Sequence, residues 1–191
     1  MSDEFGPLRD LQPDRVRPDD PGDPRVVSQQ KERLMSAIDQ TNDEVSPTYR
    51  TPGIYPRLAY LDERAALDYL ARVFGLVEIR EARMESDGHV LAWLRLGEGL
   101  LMIGHANHEV HHIYSPQEIG HTTTMVNVYV HDIDAHYANA VAEGADITMG
   151  LQDAFFGERR YEATDLEGHR WHFAEQFAAI RARGGDVPED A

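Results

Sequence analysis

The chain has 191 residues, 41% of them hydrophobic, with 34 acidic against 18 basic side chains and a net charge of −16. That length predicts one domain, or two small ones, with a real core, and the acidic balance argues against a nucleic-acid backbone or an anionic membrane as partner. The absence of cysteine excludes disulfides, cysteine–zinc sites and thiol catalysis, and with no long apolar run and no signal pattern the expected location is cytoplasmic.

Residues 1–24 hold five of the ten prolines, seven acidic side chains and almost nothing large and apolar. Such a composition cannot bury enough surface to offset its ordering entropy. Residues 1–49 are therefore expected to form an extension, a disordered arm followed by a short helix with Val27, Leu34, Met35 and Ile38 at near-helical spacing.

The folded part is expected over residues 50–177. "IYPRLAYL" reads as a strand, and "DERAALDYLARVFG" as a helix that buries Ala66, Leu67, Leu70, Val73 and Phe74 and stops at Gly75. Strand-like runs follow: "LVEIREARM", "HVLAWLRLG" after an Asp87-Gly88 turn, and "LLMIG" after Gly97-Glu98-Gly99. The order then returns. "TTTMVNVYV" reads as a strand, "DIDAHYANAVAEG" as a helix, "ADITMGL" as a strand, and "RRYEATD" and "HRWHFAEQF" as a hairpin turning at Leu166-Glu167-Gly168. This is a βαβββ unit written twice, about residues 53–104 and 122–177, each helix opened by an aspartate and closed by a glycine. The predicted class is α+β, with 178–191 as a flexible tail.

The paired βαβββ units, the "ALDYLARVFG" helix and the closing "FFGERRY" and "DLEGHRW" segments resemble the glyoxalase, bleomycin-resistance and extradiol-dioxygenase superfamily, the vicinal oxygen chelate proteins. The similarity is greatest to the branch whose last hairpin reads Phe-Trp-Gly-Asp-Arg-Tyr, then Asp-Pro-x-Gly-His-x-Trp. Phe156, Glu158 and Leu166 depart from that pattern. The resemblance implies two tandem modules forming a cup-shaped curved sheet with helices outside, a small ligand in the hollow, and a homodimer. In the metal enzymes of the superfamily it also implies a divalent ion held by the first and fourth strand of each module, acting as a Lewis acid.

Strand alternation assigns the residues that face the hollow. Tyr55 and Arg57 look inward from the first strand, Met102 from the fourth, and Met125, Asn127 and Tyr129 from the first strand of the second module, with Arg170 and His172 from its last. Trp93, Phe155 and Phe156 complete the expected lining. At the four positions that the resemblance makes metal ligands stand Tyr55, Met102, Met125 and His172, and of these only His172 is an ordinary ligand for a divalent ion. His172 is thus the expected catalytic or ligand-contacting residue, with no metal and no cofactor in the hollow.

The linker "HANHEVHHIYSPQEIGH" carries His105, His108, Glu109, His111, His112 and His121, which read either as a metal site or proton donors at the rim or as a polar solvated loop. His169 and Trp171 read as structural, and His131 and His136 as surface residues. The aromatic and thioether lining points to a protein that sequesters a drug or metabolite, as the bleomycin-resistance group does. The alternative is a metal-dependent lyase, isomerase or dioxygenase that combines His172 with loop histidines such as His105 or His121.

Overall fold

The computed structural model describes residues 54–188; the expected arm and helix of the N-terminal extension lie outside the described residues. The first module comprises β1 (Arg57–Tyr60), α1 (Glu63–Phe74), β2 (Val77–Glu78), a 3-10 turn at Arg80–Ala82, β3 (Met84–Ser86), β4 (His89–Leu96) and β5 (Gly99–His105). A linker with the one-turn helix α2 (Pro116–Ile119) leads to the second: β6 (Met125–Tyr129), α3 (Ile133–Ala142), β7 (Asp146–Ala154), β8 (Glu158–Thr164) and β9 (Arg170–Gln176), followed by α4 (Phe177–Ala182). One sheet runs β1-β5-β4-β2, with β3 also on β4, and the other runs β6-β9-β8-β7. In each, the strand before the helix pairs in parallel with the last strand of its module. The fold is the α+β tandem of modules read from the sequence.

Helix α1 follows directly from local chemistry. Asp62 caps it by accepting from the Ala65 N–H at 2.9 Å. Gly75 ends it at φ 70°, a conformation that lets the Leu76 N–H reach the Leu70 carbonyl. Its stripe of Ala66, Leu67, Leu70, Val73 and Phe74 is buried, as the spacing predicts.

Two stretches depart from the sequence reading. "LVEIREARM" is not one strand: after Ile79 the chain leaves the ladder, and the 3-10 turn carries Ile79 and Ala82 down onto Trp93 and Leu100. The tail expected to be flexible from residue 178 instead continues as α4, because Phe177 and Ile180, three apart, are buried in the core.

The two modules share one core. It joins Leu58, Tyr60, Leu94 and Ile103 of the first sheet and the stripe of α1 to Ile133, Tyr161, Trp171 and Phe173 of the second module. Phe74 is its hinge, with ring centroids 5.4 Å from Trp171 and 4.9 Å from Phe173.

The closing motif "TDLEGHRW" is the polar half of that joint. The Asp165 carboxylate accepts from the Tyr60 hydroxyl at 2.6 Å and the Trp171 indole at 3.0 Å, and its other oxygen from the backbone N–H groups of Glu167 and His169. Burial, and then the Asp165 charge, hold the Tyr60 hydroxyl protonated well above the ordinary tyrosine range, so it stays a donor. Glu167 accepts from the N–H groups of Leu61 and Asp62 at the entry to α1, and also from the Ser115 hydroxyl. His169 contacts the Ala59 carbonyl through Nε2 at 2.8 Å. The motif thus ties the last hairpin of the second module to the first strand and helix of the first.

His136, read from sequence as a surface residue, sits in the same joint. Its Nε2 lies 3.1 Å from the Phe74 carbonyl, which can only accept, so Nε2 carries a proton; its Nδ1 lies 2.7 Å from the Tyr161 hydroxyl, from which the neutral ring accepts. Burial lowers its pKa from the ordinary 6.5. The unfolded chain therefore takes up this proton at a higher pH than the fold does. The stability that His136 contributes is complete above pH 6.5 and is lost as pH falls below that value towards the folded pKa. Denaturation midpoints of the parent and His136→Gln at pH 7.5 and 5.5 are expected to show the parent losing more on acidification than the variant.

Candidate functional site

Between the modules lies a cavity of about 450 Å³. The β4–β5 hairpin forms one wall with Leu94, Leu96, Leu100 and Leu101, and Val126, Val128 and Trp171 form the other. These side chains meet because β6 and β9 are in register, Val126 opposite Trp171 and Val128 opposite Phe173, so the valines turn to the same face as the buried rings. Glu98, Asn127 and Tyr129 add polar groups to the lining. Among the residues expected to bind ligand, Asn127 and Tyr129 line this cavity; Trp171, read as structural, lines it as well.

The other expected residues fall on the sheet faces away from the shared core, in two groups. On the first sheet, Arg57, Met102 and Trp93 form one row across β1, β5 and β4, as alternation predicts. Arg57 lies over Gly104, where an added Cβ would come within 3.1 Å of its Nη2. Trp93 is not open to a hollow: the 3-10 turn covers it and leaves it 3% exposed, in a small cluster with Ile79, Ala82 and Leu100. The Nε atoms of Arg57 and Trp93 are buried and lack a hydrogen-bond partner among the described residues. Burial also lowers the Arg57 pKa. Tyr55, just before β1, is exposed.

On the second sheet, Asn127, His172 and Glu162 form a row across β6, β9 and β8. His172 is buried between two carboxylates, with Nε2 3.4 Å from Glu158 and Nδ1 3.6 Å from Glu162. Tyr129 donates to Glu158 at 3.1 Å, and that hydrogen bond, ahead of the carboxylate's charge, raises the tyrosine pKa. Arg170 donates to Glu162 at 2.6 Å. Met125 is half-buried at the end of β6. Phe155 and Phe156 stand in the β7–β8 turn, 90% and 53% exposed, with the Arg160 guanidinium 5.0 Å from the Phe156 ring.

Of the four residues that the resemblance puts at metal-ligand positions, Tyr55 lies before β1, and Met102, Met125 and His172 lie on β5, β6 and β9; a phenol, two thioethers and one imidazole are a donor set that does not suit a divalent ion. The linker histidines do not form a helical face either: residues 106–115 are turn and loop, with His108 stacked on Tyr114. His105 is the exception, because β5 runs on to include it. With Glu63 and His89 it brings three donor atoms within 4.8 Å of one another. Sequence reasoning missed Glu63 and His89. They are far apart in the chain and on different elements, and only the pairing of β4 with β5 and the packing of α1 bring them together.

Comparison with known proteins agrees with this architecture. The model of the Glyoxalase/Bleomycin resistance protein/Dioxygenase superfamily matches residues 57–173. An uncharacterized protein of Mycobacterium tuberculosis, Rv0887c, is 26% identical over 134 residues, covering 68% of this chain and 77% of its own. The crystal structure of TioX from Micromonospora sp. ML1 is 35% identical, covering 65% of this chain and 99% of that one with a TM-score of 0.54. A structure from Nocardioides described as a glyoxalase/bleomycin resistance protein/dioxygenase shares the fold at 17% identity, covering 80% of this chain and 98% of that one with a TM-score of 0.51. With that match spanning both modules, and with the paired βαβββ units in view, the chain belongs to the glyoxalase/bleomycin resistance protein/dioxygenase superfamily.

Proposed function

We propose that this protein binds a small, largely apolar and aromatic drug or metabolite and sequesters it in the cytoplasm without transforming it, as the bleomycin-resistance members of the superfamily do. The cavity of about 450 Å³ between the modules carries the reading. Its size falls within the roughly 300–1,000 Å³ of small-molecule pockets, and its lining of leucines, valines and one tryptophan with a few polar groups has their composition. The donor set at the superfamily's metal positions supports binding over catalysis there.

A thermal-shift screen of aromatic antibiotics and aromatic metabolites tests it. A ligand held only by the native state adds about 2.7 kcal/mol at a hundredfold excess over its dissociation constant, or roughly 5–10 °C for a chain of this size. Val128→Phe places a ring in the cavity and is expected to weaken any such ligand at least tenfold. An equal shift in the variant would place the ligand elsewhere.

A homodimer is part of the same proposal. It rests on the resemblance to the superfamily, whose members build the hollow from the two modules of one chain or from modules exchanged between chains.

The second reading is a glyoxalase-like lyase or isomerase, or a dioxygenase, favoured by His172 held between Glu158 and Glu162. An imidazole so placed can hold or pass a proton at either nitrogen. Turnover of hemithioacetals or catechols, reduced at least a hundredfold by His172→Ala, would favour this reading over sequestration.

A further inference from the structure

We infer that Glu63, His89 and His105 form a binding site for a divalent transition-metal ion of the zinc class, on the first module and apart from both the cavity and the strand positions of the superfamily's metal ligands. Glu63 is the first residue of α1, His89 the first of β4 and His105 the last of β5. One oxygen, Glu63 Oε1, lies 3.2 Å from His89 Nδ1 and 2.9 Å from His105 Nδ1. Ligand atoms about 2.0–2.1 Å from a zinc ion and separated by 90–110° at the metal stand roughly 2.9–3.4 Å apart, so these spacings fit donors that share one ion.

Hydrogen bonding within the cluster does not account for it. Glu63 Oε1 and His105 Nδ1 are shielded from water, yet neither has a hydrogen-bond partner among the described residues. The two imidazoles stack with centroids 3.6 Å apart at 24°. An imidazole donates in the plane of its ring, and the close approaches to Glu63 do not meet that geometry. A buried carboxylate oxygen and a buried ring nitrogen left in this state are destabilising, and a cation accepting both lone pairs would remove that cost.

The donors are also held in place, as a metal site requires. The entry to α1 is fixed by the Asp62 cap and by Glu167, which accepts from the N–H groups of Leu61 and Asp62. His105 pairs with Tyr60 across β1 and β5, and the next N–H, of Ala106, bonds to the Tyr60 carbonyl. His89 is fixed opposite Ser86 in the β3–β4 hairpin. Two imidazoles and a carboxylate suit zinc, cobalt, nickel or ferrous iron over calcium or magnesium. Three protein ligands leave coordination positions open on the side where His89 is 48% exposed, so a bound ion would meet solvent or a small molecule there.

The test uses untagged full-length protein treated with chelator, titrated with Zn²⁺ by calorimetry and with Co²⁺ by visible absorption. One Zn²⁺ per chain is expected, with a dissociation constant in the micromolar range or below, together with cobalt bands of a four- or five-coordinate site. His89→Ala and His105→Ala should each weaken binding at least a hundredfold, and Glu63→Gln at least tenfold. The combined replacement of His108, His111 and His112 by alanine should leave it unchanged. His89 lies at the surface, so His89→Ala keeps the test valid if changes at the buried positions impair folding. Absence of stoichiometric binding, binding indifferent to His89→Ala, or loss of binding in the linker variant would overturn the assignment.

Discussion

Replacing Asp165 with alanine is expected to cost about 4 kcal/mol of stability and to lower the melting temperature by roughly 10 °C, although the residue lies in neither the cavity nor the metal cluster. The change leaves four donors without an acceptor: the Tyr60 hydroxyl, the Trp171 indole and the backbone N–H groups of Glu167 and His169. Asp165 itself is only 6% exposed, so water cannot readily replace the carboxylate. Asp165→Asn separates shape from charge. Its amide has one oxygen where the carboxylate has two, so an NH2 group must face donors on one side. The Tyr60 hydroxyl can turn to accept from it, but the Trp171 N–H cannot. The asparagine variant should therefore lose about half as much, roughly 2 kcal/mol. Chemical denaturation of the three proteins measures both steps, and equal losses for alanine and asparagine would mean that the joint needs the full carboxylate, with both oxygens accepting.

Phe74→Ala should have an effect of similar size by a different route. The ring is fully buried where α1 meets the second sheet, in contact with Tyr69, Trp171 and Phe173. Truncation of a core phenylalanine costs about 3–5 kcal/mol, the transfer term plus the void it leaves. Because the ring bridges the modules, the loss should also loosen one against the other. Hydrogen exchange should then quicken at the amides of both β1 and β9, whereas a purely local defect would speed exchange in α1 alone.

Much of this architecture is legible in the sequence, because its signals are local. Asp62 and Gly75 mark the ends of α1, and alternation puts Leu101, Ile103, Val126, Val128, Trp171 and Phe173 on the buried faces where they lie. The errors also have local causes. Ile79 and Ala82 stand three apart, a helical spacing inside a run rich in strand formers, and the turn they make covers Trp93. Phe177 and Ile180 carry the same signal, hidden by the glycines and proline that follow. Nothing local marks Glu63 as more than the opening of a helix or His89 as more than the end of a turn, since their meeting with His105 depends on strand pairing and helix packing together. The closing motif is a mixed case. Its composition contributes to the resemblance read from the sequence, while its role as the lock between the modules depends on Tyr60 and Leu61, more than a hundred residues earlier.

The binding proposal is tested most directly at Trp171, one of two tryptophans in the chain and the one that lines the cavity. In Trp93→Phe it is the sole indole emitter. The antibiotic or metabolite that raises the melting temperature most should change its emission saturably with one site per chain, and Val128→Phe in the same background should abolish that response. A compound that stabilises the protein yet leaves Trp171 emission untouched, and binds the Val128→Phe variant with undiminished affinity, would contradict the assignment of the cavity as the binding site.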